Sequence, residues 1–109
     1  MFDAARLARM RPTAYLVNTA RGGIIDEPAL YAALSSGKLA GAGLDVYAQE
    51  PVQPDNALLT LANVVSAPHM AGVTKESLDR MGLQTAKNIL SVLDAKPIRE
   101  NVINQEVLD

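Results

Sequence analysis

Four ionisable side chains, each at or just beyond the end of a short apolar run, are the residues of this chain best suited to chemistry. They are Arg21, Asp45, Glu50 and His69. Arg21 offers a planar fork that can hold a carboxylate and its neighbouring carbonyl. His69 can give or take a proton near neutral pH, and Glu50 within hydrogen-bond reach would fix the tautomer of its ring. Together these groups would suit reduction of a 2-keto acid by hydride from a cofactor.

Each of these residues, taken alone, also has a simpler structural interpretation. Arg21 could be a surface or helix-packing residue, and His69 could be a turn residue whose hydrogen bonds are satisfied locally. Asp45 could cap the following turn, and Glu50 could be solvated. Spacing alone therefore leaves the structural and the functional interpretations open.

Alternation of strands and helices predicts the elements that position these side chains. The predicted strands are Ala14–Asn18, Ala40–Val46 and Asn63–Ala67, and the predicted helices cover Ala4–Met10, Asp26–Ser36 and Lys75–Ala95. This order is typical of an α/β protein with a parallel sheet and right-handed crossovers. Because parallel strands bring their carboxyl ends to one edge, the four side chains are expected to converge there.

Local signals support these elements. Asp3, Asp26 and Thr74 are suitable helix starts, and Gly37 suits the end of the second helix. The first strand is apolar at successive positions, which predicts burial on both faces. An apolar stripe along the last helix predicts packing; it comprises Leu78, Met81, Thr85, Ile89 and Val92 or Leu93.

Composition narrows the classes of partner. The 109 residues are 49% hydrophobic and 20% charged, with net charge −2 and no gathered basic patch, so no nucleic-acid partner is expected. The absence of cysteine excludes disulfides and cysteine-based metal sites, and we expect no metal. No apolar run is long enough to span a bilayer, and the N-terminus lacks a secretory core. These features predict a cytoplasmic domain without a membrane partner.

Three segments closely resemble the signatures of the D-isomer-specific 2-hydroxyacid dehydrogenases. They are Asn18–Asp26, Gly43–Tyr47 followed by Glu50 and Pro51, and Ala67–Gly72. They stand in the family's order with similar separations, and the resemblance covers nearly the whole chain. It implies that Arg21, Glu50 and His69 are the catalytic residues. Formate dehydrogenases, a related branch, carry glutamine in place of Glu50, so this residue favours hydroxy acids.

The resemblance also implies NAD as cofactor and a 2-keto or 2-hydroxy acid as substrate. The implied cofactor-binding residues are Asn18, Thr19, Ala20, Arg21, Asp45, His69, Ala71 and Gly72. Among them, the residue matching Asp45 contacts the nicotinamide carboxamide. The phosphate-binding glycine motif G-x-G-x-x-G is absent from this chain, and the choice between NAD and NADP stays open.

The fold implied by the resemblance is the truncated C-terminal half of a Rossmann-like parallel sheet with flanking helices. Residues 1–95 would form part of an NAD-binding domain, and residues 96–109 a tail that packs on a substrate domain. Three functions follow as alternatives: a dehydrogenase fragment inactive alone, a non-catalytic oligomerising module, or a half-enzyme completed by a separate N-terminal part. The exposed edge of Ala14–Asn18 predicts a homo-oligomer, a dimer or a higher oligomer.

Overall fold

A computed structural model describes residues 1–108, which form two compact units, residues 1–71 and residues from Gly72 onward. Asp109, the last residue of the predicted tail, lies outside the described residues. The predicted division of the chain between residues 95 and 96 stays a prediction. Each unit has its own architecture.

A parallel sheet organises the first unit. Its strands in residues 1–108 are β1 (Tyr15–Asn18), β2 (Gly41–Leu44) and β3 (Val64–Ser66), in the spatial order β1-β2-β3. The last residues of the three strands are aligned, Asn18 with Leu44 and Leu44 with Ser66. All three carboxyl ends therefore meet at one edge. The predicted α/β class and parallel sheet are confirmed.

Two helices of the first unit begin where their capping residues predict. Asp3 accepts a hydrogen bond from Arg6 N at 2.9 Å and starts α1 (Ala4–Leu7), which is shorter than predicted. Asp26 accepts from Ala29 N at 3.0 Å and starts α2 (Glu27–Ser35). Each aspartate satisfies a backbone N–H that the first helical turn leaves without a partner.

The hydrophobic core lies on one face of this sheet. Its fully buried side chains are Leu30 of α2, Leu39 before β2 and Leu58 in a 3₁₀ turn. The opposite face is bare, since Val17 is 70% exposed and Val65 75% exposed. The predicted burial of the first strand on both faces is thus wrong. The apolar side chains of a strand allow both of its faces to be buried. Whether a face is buried depends on whether another element packs against it.

The second unit consists of α3 (Lys75–Leu93) and two short 3₁₀ turns, Arg99–Asn101 and Gln105–Leu108. Thr74 and Ser77 form a reciprocal capping box, at 3.1 and 2.9 Å, which confirms the predicted helix start. The stripe predicted to pack is exposed, and no residue of α3 is buried. Across residues 1–108, helices with the length and apolarity needed to cross a membrane are absent.

Candidate functional site

The turn after β1 is built by Asn18, which is 6% exposed. Its side chain accepts a hydrogen bond from Ala20 N at 3.1 Å and donates one to Arg21 O at 2.9 Å. The oxygen and the NH₂ group of the Asn18 side-chain amide therefore both shape the turn, as short polar side chains commonly do. Arg21 projects from this turn at the carboxyl edge of the sheet. Its guanidinium is exposed and donates to Ala20 O at 2.7 Å.

Glu50 and His69 form the central contact of this edge. His69 Nδ1 lies 2.7 Å from Glu50 Oε2, and Glu50 Oε1 accepts from Tyr47 N at 3.1 Å. The hydrogen bond with His69, followed by that from Tyr47 N–H, lowers the pKa of Glu50, and the charge of Arg21 contributes to this lowering. Glu50 is thus an ionised acceptor near neutral pH, and it orients the imidazole ring.

Asp45 holds the backbone that carries His69. Its two carboxylate oxygens accept from Met70 N and Ala71 N, both at 2.8 Å, and its carbonyl accepts from His69 N at 2.8 Å. His69 adopts a left-handed backbone with φ of 56°, a conformation uncommon for residues other than glycine. Asp45 is 5% exposed, and the N–H of Ala71, then that of Met70, lowers its pKa. These three bonds maintain the unusual turn.

An open cavity of about 450 Å³ lies at this edge. Its lining includes Asp45, Tyr47, Glu50, Pro51, Val52, Pro68 and His69. Of the four residues expected to converge, the structure therefore brings Asp45, Glu50 and His69 together. Arg21 lies at the same edge, but its guanidinium is turned to the backbone of its own turn. The roles assigned to these residues stay predictions.

A second, shallower groove of about 290 Å³ lies beside this cavity on the bare face of the sheet. Its lining is made of small or apolar side chains with few polar groups: Val17, Thr19, Gly43, Leu44, Asp45, Val65, Ala67, Met70 and Ala71. A flat nicotinamide ring fits such a surface. The Asp45 carboxylate keeps further lone pairs for a carboxamide N–H. Of the other predicted cofactor residues, Ala20 is exposed in the turn before Arg21, and Gly72 begins the second unit.

The described part of the chain, residues 1–108, holds no cluster of side chains suited to a metal ion. A further polar contact joins two segments of the site directly, because the Tyr47 hydroxyl and the Ser66 hydroxyl are hydrogen-bonded. This bond ties the loop after β2 to the end of β3.

Sequence reasoning missed one residue near the site, Glu27. Glu27 accepts from Ala48 N at 2.6 Å and from Asn56 Nδ2 at 3.0 Å. Gly22 lies so close to Tyr47 that an added Cβ would stand 1.9 Å from its carbonyl carbon and oxygen. Glycine, which has no side chain, permits this close approach, whereas nothing in the sequence indicates the contacts of Glu27.

Residues 1–71 match the family model described as D-isomer specific 2-hydroxyacid dehydrogenase, NAD binding domain. The chain is 48% identical over 108 residues to a glyoxylate reductase of Korarchaeum cryptofilum, covering 99% of this chain and 32% of the relative. It thus spans about a third of the length of such relatives.

Solved structures are similar as well. The NADPH-dependent glyoxylate/hydroxypyruvate reductase of Sinorhizobium meliloti, in complex with citrate, matches with a TM-score of 0.80 and 35% identity, over 88% of this chain and 31% of that one. D-Lactate dehydrogenase from Aquifex aeolicus, complexed with NAD and lactic acid, matches with a TM-score of 0.77 and 34% identity, over 86% and 33%. The fold of this chain thus recurs within proteins of known structure.

Proposed function

This chain belongs to the D-isomer-specific 2-hydroxyacid dehydrogenases, and we propose that it supplies the catalytic edge of an NAD(P)-dependent reductase of 2-keto acids. The observation that carries the proposal is the 2.7 Å contact between His69 Nδ1 and Glu50 Oε2, beside a cavity at the carboxyl edge of a parallel sheet. Ligands of open α/β sheets bind at that edge. The name of one relative, glyoxylate reductase, supports small 2-keto acids as the substrate class of this chain.

His69 is proposed as the proton donor. Because Nδ1 is engaged by Glu50, the ring offers its Nε2 to the substrate. Protonated Nε2 would give its proton to the carbonyl oxygen of the keto acid as that oxygen gains charge. In the reverse direction the neutral ring would take the proton from the hydroxyl group. Glu50 stabilises the positive charge on the ring in the step before the transfer.

Arg21 is proposed to bind the substrate carboxylate. Its guanidinium is exposed, and its contact with Ala20 O occupies one of five N–H donors. A carboxylate could therefore be held by two parallel hydrogen bonds without breaking the turn. The same charge would polarise the adjacent carbonyl.

A nicotinamide cofactor, when bound, supplies the hydride. Residues of this chain would hold its ring in the groove beside the cavity, against Gly43, Ala67 and Ala71. Asp45 would accept from the carboxamide while it holds the backbone of Met70 and Ala71. The groove adjoins the cavity that His69 lines, because Asp45 and Ala67 line both.

The test is oxidation of NADH and NADPH by the purified chain in the presence of glyoxylate or hydroxypyruvate. His69→Ala is expected to lower the rate by about 10²–10⁴-fold, the usual contribution of a general acid. Arg21→Ala should raise KM and lower kcat, whereas Arg11→Ala, at an exposed arginine away from the edge, should match the wild type. Wild-type turnover by His69→Ala would contradict the proposal.

Arg21→Lys distinguishes geometry from charge. A lysine keeps the positive charge but loses the bidentate fork, so we expect most of the activity to be lost in this variant as well. Near-normal kinetics of Arg21→Lys would mean that Arg21 contributes charge alone.

A chain without activity is also expected of a dehydrogenase fragment inactive alone, and two further candidates would then have to be separated from it. Activity that appears when a polypeptide carrying the remaining part of a relative is added would favour the half-enzyme. The oligomerising module is favoured by one observation, the position of β1 at an edge of the sheet with Tyr15 and Val17 exposed. Calorimetric titration with NADH separates this module from the reductase, since saturable binding is expected of the reductase alone.

A further inference from the structure

Glu27, the first residue of α2, reaches across to the loop that carries Glu50. One carboxylate oxygen accepts from Ala48 N at 2.6 Å, and the other accepts from Asn56 Nδ2 at 3.0 Å. Ala48 and Asn56 lie on either side of Glu50 in the sequence. A single carboxylate therefore fixes both ends of the segment between them.

The partner Asn56 has its orientation set independently. Its Oδ1 accepts from Leu58 N at 3.0 Å and caps the 3₁₀ turn Ala57–Thr60, which buries Leu58. The Nδ2 group consequently has to point away from that turn, toward Glu27. Since both partners of Glu27 are donors, the position requires two acceptor atoms, which a carboxylate has and an amide lacks.

The same loop meets the turn after β1 through its backbone. Gly22 packs directly on the carbonyl group of Tyr47, where no Cβ could be accommodated. Tyr47 N in turn donates to Glu50 Oε1 at 3.1 Å. The carboxylate that contacts His69 is therefore placed by the loop backbone, and that backbone is held by Glu27.

We propose that Glu27 is a positioning residue for the Glu50–His69 pair, acting through its hydrogen bonds to Ala48 and Asn56. The inference rests on the proposed function, because it assigns a role toward the pair that would transfer the proton. The hydrogen bonds of Glu27 go to Ala48 and Asn56 and not to the two side chains of the pair. Its removal would release the loop and let Glu50 move away from His69.

The test is an NMR titration of Glu27→Ala in the full chain, following the side-chain carboxyl carbon of Glu50. In the wild type the hydrogen bond with His69 lowers the pKa of Glu50 below its ordinary 4.5. In the variant the midpoint is expected to rise toward 4.5. Nitrogen shifts of His69, the single histidine of the chain, should show a redistribution of the proton between the two ring nitrogens at neutral pH.

The sign of the shift separates positioning from plain electrostatics. Removing a nearby negative charge would by itself lower the pKa of Glu50, because like charges disfavour ionisation. Loss of positioning raises it. A purely structural role would reduce the stability of the fold and leave the midpoint of the folded chain unmoved. An unmoved or lowered midpoint in folded Glu27→Ala would overturn the inference.

Two further variants complete the experiment. Asp55→Ala removes an exposed carboxylate from the same loop and is expected to leave the Glu50 midpoint and the histidine shifts unchanged. If Glu27→Ala does not fold, Glu27→Gln is measured instead. Glutamine keeps one acceptor oxygen, so the Glu50 midpoint should rise by less than in Glu27→Ala. A Glu50 midpoint that does not rise in Glu27→Gln would overturn the inference.

The titration needs neither cofactor nor substrate, so the two proposals can fail separately. A raised midpoint in a chain that binds no cofactor would uphold the placement of Glu50 by Glu27 and count against the reductase. An unmoved midpoint in an active chain would count against the positioning role of Glu27 alone.

Discussion

Asp45 illustrates how one side chain can serve both the fold and the site. Its carboxylate accepts from two successive backbone N–H groups, those of Met70 and Ala71, while its own backbone carbonyl accepts from His69 N. Such a contact is stronger than one between neutral groups, because the acceptor is charged. The end of β2 thereby determines the conformation of the segment that follows β3.

The contribution of Asp45 to stability is expected to depend on pH. Hydrogen bonds from the N–H groups of Ala71 and Met70, together with the charge of His69, lower its pKa below the ordinary 3.8. A carboxyl group with a lowered pKa stabilises the folded chain above its unfolded value, and this stabilisation is lost as pH falls through the folded value. The difference in free energy of unfolding between the wild type and Asp45→Asn should persist down to about pH 5 and shrink below about pH 4.

Urea denaturation across this pH range measures that difference. At neutral pH Asp45→Asn should be the less stable chain, since its amide NH₂ would face a backbone N–H that also donates. Asp55→Asn, at an exposed position, provides the control and should differ little from the wild type at any pH. A difference between wild type and Asp45→Asn that persists undiminished at pH 3 would contradict the role of the ionised carboxylate.

At the scale of elements, the contact between the turn after β1 and the loop after β2 depends on Gly22. A Cβ there would lie 1.9 Å from two backbone atoms of Tyr47, and backbone cannot yield as a flexible side chain can. Gly22→Ala should therefore lower the free energy of unfolding by about 1–3 kcal/mol or more. Because Tyr47 N holds Glu50, the substitution should also raise the Glu50 titration midpoint toward 4.5.

Gly23→Ala is a matched control for that substitution. Gly23 belongs to the same 3₁₀ turn, but nothing lies within 4 Å of the position its Cβ would take. The free energy of unfolding should change by no more than about 0.5 kcal/mol. Equal losses in the two variants, measured by chemical denaturation, would mean that glycine is needed for turn conformation and that close packing on Tyr47 is unimportant.

These elements show which features could be predicted from sequence. Caps at Asp3, Asp26 and Thr74 depend on residues three positions away, and the predicted starts of all three helices are confirmed. The meeting of Glu50 with His69 follows from parallel strands that end at one edge. Both kinds of feature arise from local patterns or from the topology that those patterns imply.

Other features depend on contacts that no local pattern records. The hydrogen bonds of Glu27 span 21 and 29 residues, and an acidic residue in a first helical turn is already explained by the helix dipole. Exposure of Val17 likewise depends on which elements cover the sheet. The apolar run around it is typical of a strand covered on both faces, but the run does not specify which elements are present to cover them.

For the molecule as a whole, the exposed apolar surface bears on how the chain associates. The bare face of the sheet presents Tyr15 and Val17 at 73% and 70% exposure, on a strand that forms the sheet edge. The oligomerising module would be expected to cover this surface, because an apolar strand at an open edge readily pairs with another chain. The oligomeric state is therefore informative before any activity is found.

Val17→Lys is expected to convert a dimer of this chain to a monomer. A lysine on the exposed face of an edge strand opposes both strand pairing and apolar packing, because its charge would have to be desolvated. Sedimentation of the wild type and the variant at matched concentrations measures the change. Ile103→Lys adds the same charge at a fully exposed residue of the second unit and should leave the mass of the assembly unchanged. If the wild type sediments as a monomer, the oligomerising module is excluded. If Val17→Lys stays dimeric, the association uses a surface other than β1, and exposure of this strand has no part in assembly.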